Sequence, residues 1–473
     1  MDTNDPYGQG AYRALWGTAT CTDQLPFTTT VSPFPVASSE LVSPPIYDPG
    51  QQDRHGSLPA DFMWGVAGSA WQYDGGLMDQ GRGPSSADSL GLAAGGNDSI
   101  VADMHYYLYK QDILRLAAIG ILYYFFSIAW SRVVPFGVAG SPINMQALDH
   151  YEDIINFCIE NGIVPVVTLT HIVTPATLVT GEKALIGYQH TDRVPVWITF
   201  NEPNIMTDTF HGYHNVLMAH ARVWHFYHEE LSATGKISMK IFNNFAFSLR
   251  FSNPDDLVAA QWSNEFSLGI LLNPMVRGVD YPESVKNTTG ANVTQLKTKD
   301  LSYLNETVDF LAIDAYSQIF TTPPDGGIEA YYDANGWLIG SPSTVYKYTT
   351  PTYVRPALKY YDDVYHTSGG TVITEFGWNA LLEANMTPDE ARYDDLRSQY
   401  YTYYIANMVK SIDEDGVPIV GAFAWSLIDN NEWGTYAQRY DMQTVDRNTQ
   451  LWRFKRSMFD YVDAFQKLVK GHR

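Results

Sequence analysis

Eight short apolar runs, separated by polar turns and helical patterns, constrain this chain more than any other feature. They fall near residues 63–70, 121–129, 163–170, 195–201, 238–244, 309–314, 371–375 and 420–425. Strands that alternate with helices predict a parallel sheet covered by helices. Eight of them make a closed (β/α)₈ barrel, a TIM barrel, the expected α/β form rather than an open doubly wound sheet. One unit shows the logic. In QALDHYEDIINFCIENG, residues Leu148, Tyr151, Ile154, Ile155 and Cys158 recur at helical spacing, Asn161-Gly162 stops the helix, and IVPVVTLTH then reads as a buried strand. The barrel is expected over residues 58–473. Residues 1–57, rich in Thr, Ser and Pro and without a sustained apolar period, read as an extended N-terminal arm.

Charge and composition exclude several function classes. Thirty basic residues against 52 acidic ones, a formal net charge of −22, repel nucleic acid and anionic membrane surfaces, whereas a neutral ligand fits. No apolar run approaches the ~18 residues of a membrane span. Twelve Trp and 32 Tyr are ample for an aromatic-lined cleft. Two cysteines, Cys21 and Cys158, do not make a disulfide framework or a zinc site, and Cys158 reads as a core thiol. The pairs His211/His214 and His225/His228 have the one-turn spacing of metal ligands, but no acidic or thiol partner is expected to complete a site nearby, so they read as helix surface and packing. No phosphate-cradling glycine loop and no Ser/His/Asp elbow stands in the required context, and no metal or other cofactor is implied. Five Asn-X-Ser/Thr acceptors, at Asn97, Asn287, Asn292, Asn305 and Asn385, point to a secreted glycoprotein, although the first twenty residues have no signal-peptide pattern.

In a parallel barrel the chemistry sits at the carboxyl ends of the strands. Two glutamates end apolar runs there: Glu202 in VPVWITFNEPN and Glu375 in TVITEFGW. A single strand-end glutamate is ordinarily a solvated cap. Two at one barrel mouth suit glycoside hydrolysis, in which one carboxyl protonates the leaving oxygen and the other attacks the anomeric carbon.

These residues, with TFNEP (199–203) and ITEFG (373–377), resemble glycoside hydrolase family 1. Further similar segments run from Leu58 to the C-terminus: DFMWGVAGSAWQYDGG, FSIAWSR, YHNVLMAHA, AWSLIDNNEW and RFKRS. The long arm and the form GVAGSAWQY are similar to a secreted fungal branch. The resemblance implies a retaining, β-glucosidase-like exo-hydrolase of terminal β-linked sugars. Glu202 would be the acid/base and Glu375 the nucleophile, acting on a small-molecule or oligosaccharide β-glycoside. It implies further that Gln72, His171, Asn201, Glu432 and Trp433 hold the sugar, that Trp425 is its stacking platform, and that Tyr316 lies near the nucleophile.

The chain departs from the family pattern at several places. Phe125 stands where the pattern has an arginine, which is expected to deprive Glu375 of its cationic neighbour, with Arg132 as a substitute cation. The family's His-Trp-Asp reads His171-Ile172-Val173; Asp314 and Phe376 each replace an asparagine. The segment from Pro175 to Asn201 is short, so the third βα unit is expected to be incomplete. From these departures follows an alternative function, a catalytically impaired or silent carbohydrate-binding barrel.

Overall fold

The computed structural model describes residues 5–17, 25–45, 56–88, 99–138, 140–172, 193–206, 210–287, 293–323, 328–344 and 348–469. The eight expected strands are present: β1 (Met63–Ala67), β2 (Tyr123–Ser127), β3 (Val164–Thr170), β4 (Val196–Asn201), β5 (Lys236–Phe242), β6 (Leu311–Asp314), β7 (Thr371–Phe376) and β8 (Ile419–Trp425). They close into a barrel in the order β1-β8-β7-β6-β5-β4-β3-β2, and each neighbouring pair is parallel. At Gly65 a Cβ would stand 1.9 Å from the carbonyl oxygen of Tyr123, so the β1–β2 approach requires glycine.

Strand alternation sorts the core into two layers. On β2, Phe125 faces the barrel interior with Val166, Val196, Ile198, Ala312, Val372 and Phe423. Its neighbours Tyr124 and Phe126 face outward, into the layer formed with the helices. That layer includes α2 (His105–Ile119), α3 (Met145–Glu160), α4 (Phe210–His225), α5 (Val354–Tyr365), α6 (Asp395–Asp415) and α7 (Arg456–Leu468). α2 ends where Gly120 takes a left-handed conformation (φ 90°), the usual glycine stop.

The described part of the N-terminal stretch differs from a uniformly extended arm, because Gln9–Trp16 forms a helix, α1. It is tied to the barrel's outside: the Tyr12 hydroxyl donates to the Arg82 carbonyl (2.7 Å), the Val31 amide to that of Tyr107 (2.9 Å), and Arg115 pairs with Glu40 (2.6 Å). Anchoring by such polar contacts leaves no signature in hydrophobic periodicity.

Cys158 is buried, and burial pushes its thiol pKa up. His225 and His228 pair with Glu229 and Asp309, as helix packing requires. No helix among the described residues is long and apolar enough to cross a membrane. Asn287, Asn305 and Asn385 are exposed; Asn97 and Asn292 lie outside the described residues. So do residues 173–192, where an incomplete third βα unit was expected.

Candidate active site

Both glutamates arrive at the barrel mouth by irregular backbone. The β4–β5 register shifts between Ile198 and Asn201, and the β6–β7 register between Ile373 and Glu375. Such bulges re-aim strand-end side chains. Glu202 also takes a left-handed conformation (φ 46°), a strained one for a side chain of this size, while its amide donates to the Lys240 carbonyl (3.0 Å). One carboxyl oxygen from each of Glu202, Glu375 and Asp314 falls within 4.8 Å of the others, and all three residues are buried.

These carboxyls are treated differently by their surroundings. Glu375 Oε1 accepts a hydrogen bond from Lys240 Nζ (2.6 Å) and Oε2 one from the Tyr316 hydroxyl (2.7 Å). Burial pushes the Glu202 pKa well above the usual carboxylate range, and the negative charges of Asp314 and Glu375 add to this against the opposing effect of Lys240. Asp314 is raised well above that range as well, by burial first and by Glu375 second, although Thr374 Oγ1 donates to its Oδ1 (2.6 Å). These surroundings favour the protonated form of Glu202. Three carboxyl oxygens this close also have the spacing of metal ligands, but the Lys240 ammonium already supplies the countercharge.

The expectations about cations are corrected here. Glu375 is not left without a positive neighbour: Lys240 on β5 provides one, and its Nζ lies 4.1 Å from the centroid of the Phe125 ring. Arg132 is not the substitute. Its guanidinium is buried elsewhere, donating to the carbonyls of Gly75, Gly76 and Asp79 and stacking 3.8 Å over Tyr106. Sequence reasoning missed Lys240, yet a signal existed. In KISMKIF a lysine occupies an inward-facing place of an otherwise buried strand, and a residue there needs a partner.

The remaining site residues gather around the same mouth in two groups. Glu432 Oε2 accepts from Gln72 Nε2 (2.9 Å) and from the Trp425 indole (3.3 Å), and burial followed by the charge of Asp441 raises its pKa well above the usual range. Asn201 Nδ2 lies 3.1 Å from His171 Nε2, and the His171 ring sits 5.5 Å from that of Trp425. Burial, then Lys240, lowers the His171 pKa well below its usual value, so the imidazole is neutral. Trp433 is the outlier: next to buried Glu432 in the chain, it is 53% exposed.

A carboxylate braced by a cation and a carboxylic acid kept protonated beside it, at the carboxyl end of a parallel barrel, are what cleavage of a glycosidic bond requires. Fold and site together define a glycoside hydrolase. The sequence model of glycosyl hydrolase family 1 matches residues 54–471, and the chain belongs to that family. β-Glucosidase 42 of Arabidopsis thaliana is 30% identical, with 88% of this chain and 94% of that protein aligned. Among solved structures, the GH1 β-glucosidase of the fungus Humicola insolens in complex with glucose superposes with a TM-score of 0.81 at 26% identity, over 88% of this chain and all of that one. A rice β-glucosidase mutant in a covalent complex with Glc gives 0.80 at 26% identity, over 87% and 99%. This protein is a β-glucosidase-like hydrolase.

Proposed function

We propose that the protein is a retaining exo-β-glycosidase that removes a terminal β-linked sugar through a covalent glycosyl-enzyme, with Glu375 as nucleophile and Glu202 as acid/base. The observation that carries this reading is the short separation of the carboxyl oxygens, within 4.8 Å. It suits a retaining pair, about 5–5.5 Å between carboxyl groups, better than the roughly 6.5–9.5 Å at which an inverting enzyme places a water between them.

In the first step a Glu375 oxygen bonds to the anomeric carbon while the bond to the leaving oxygen breaks and Glu202 gives that oxygen its proton. In the second, water attacks the same carbon, Glu202 takes a proton from it, and the Glu375 ester bond breaks. The raised pKa of Glu202 suits the first step. Proton loss becomes easier once Glu375 is esterified, because one of the negative charges that raise this pKa is then gone.

The sugar pocket comprises Gln72, His171, Asn201, Glu432 and Trp425, with Trp433 at its edge and Tyr316 beneath the nucleophile. Gln72 Oε1 and Asn201 Oδ1 are buried without a protein partner among the described residues, as acceptors aimed at sugar hydroxyls would be. The indole face of Trp425 matches the C–H face of a pyranose. One ground for expecting a silent barrel, a nucleophile without its cation, is met by the Lys240 contact; another, the short third βα unit, lies outside the described residues.

Aryl β-glucosides test the reading. The sugar first released has the β configuration by proton NMR, and Glu202→Ala lowers turnover by about 10²–10⁴-fold. Release of the α anomer sinks the assignment.

A further inference from the structure

The cation of this site comes from a strand that the family pattern does not predict. Phe125 on β2 and Lys240 on β5 both face the barrel interior, and both are almost fully buried, at 2% and 1% exposed. The aromatic ring lies against the ammonium at 4.1 Å, and the ammonium meets Glu375 Oε1 at 2.6 Å. The ring fills part of the space an arginine side chain from β2 would cross, and its face is a favourable neighbour for a buried cation. Lys240 is held from several sides: Phe125 under Nζ, Glu375 in front, and its own backbone carbonyl bound to the amide of Glu202. One residue therefore joins the two catalytic glutamates, the first through its side chain and the second through its main chain.

We propose that Lys240 is the positioning residue of the nucleophile, that it takes over from β5 the work of a β2 arginine, and that Phe125 and Lys240 form one exchangeable unit. The proposal rests on the assignment of Glu375 as nucleophile. It predicts that restoring arginine at position 125 alone is harmful. A second cation in this closed space would favour the ionised forms of Glu202 and Asp314 and so oppose the protonated acid, and the ring under Lys240 would be lost.

The experiment compares wild type, Lys240→Met, Lys240→Arg, Phe125→Arg and the double variant Phe125→Arg/Lys240→Met. It measures kcat and KM on an aryl β-glucoside, the rate at which a 2-deoxy-2-fluoro β-glucoside labels Glu375, and the thermal midpoint. Lys240→Met is expected to lower kcat and the labelling rate by about 100-fold, the scale of a 1 Å misplacement, with KM changed far less. Lys240→Arg retains more activity than Lys240→Met. Phe125→Arg falls below wild type, and the double variant recovers at least about tenfold over Lys240→Met.

Labelling of Lys240→Met at the wild-type rate overturns the proposal, as does a double variant no better than Lys240→Met. A Phe125→Arg enzyme faster than wild type overturns it too. If Lys240→Met does not fold, the double variant is read alone: folded and labelled, it supports the exchange; unfolded, it refutes it. Wild type labelled at a residue other than Glu375 sinks the functional assignment itself, a failure distinct from any of these.

Discussion

Glu202 and Glu383 are both buried glutamates, and the protein tunes them in opposite directions. Burial alone raises the pKa of either. Around Glu202 the neighbours are mostly carboxyls, Asp314, Glu375 and Glu432, with Lys240 as the opposing charge, so the group stays protonated. Glu383 sits instead between two cations. It accepts from Lys455 (2.8 Å) and forms a two-pronged pair with Arg397, and although burial pushes upward, Arg397 and then Lys455 hold its pKa down to about 2. The difference teaches what each region is for. Where carboxyls outnumber cations, the excess of negative charge sets a reactive protonation state. Where two cations grip one carboxyl directly, the charges lock loops together: Glu383 follows β7, Arg397 opens α6 and Lys455 precedes α7.

The largest effect that breaks this comparison is removal of Arg397. Its guanidinium also pairs with Asp394 (2.5 Å), so Arg397→Met leaves two buried carboxyls short of a partner. A loss of about 3–5 kcal/mol is expected in denaturant unfolding. A change under about 1 kcal/mol would mean that the network does not hold the loops.

Acid unfolding sharpens it further. A carboxyl with a lowered folded-state pKa contributes stability that is complete above its unfolded value of about 4.3 and is lost as pH falls toward about 2. For Glu383 this amounts to on the order of 3 kcal/mol. Glu383→Gln should therefore flatten the decline of thermal midpoint with falling pH in that window, and an unchanged slope would assign the decline to other groups.

The smallest effect lies in the site. Asp314, whose own pKa is raised, acquires its charge as pH rises, and that charge then raises the Glu202 pKa. Asp314→Asn removes that charge, so Glu202 loses its proton at lower pH and the basic limb of the kcat/KM profile moves down. A limb that stays in place would show that burial alone keeps Glu202 protonated.

The barrel was legible because strand and helix periodicity are local properties of the chain, and the two mouth glutamates because each ends a buried strand inside a recognisable motif. The cation was not legible. From Phe125 the sequence points to a loss and to Arg132, which lies only a few residues further along. Barrel closure instead brings Lys240 of β5 beside Glu375 of β7, 135 residues apart, while Arg132 turns to the carbonyls of Gly75 and Gly76. Trp433 and Glu432 show the same limit on a smaller scale: adjacent in the chain, one is exposed and the other buried against Gln72.

The sequence by itself thus determined the barrel, the family and the two glutamates, because these depend on residue patterns within single segments. Which cation faces Glu375, and which carboxyls have raised pKa values, was settled only once the chain folded. Both depend on burial and on charges a few ångströms apart in space, and those distances do not exist until the barrel closes.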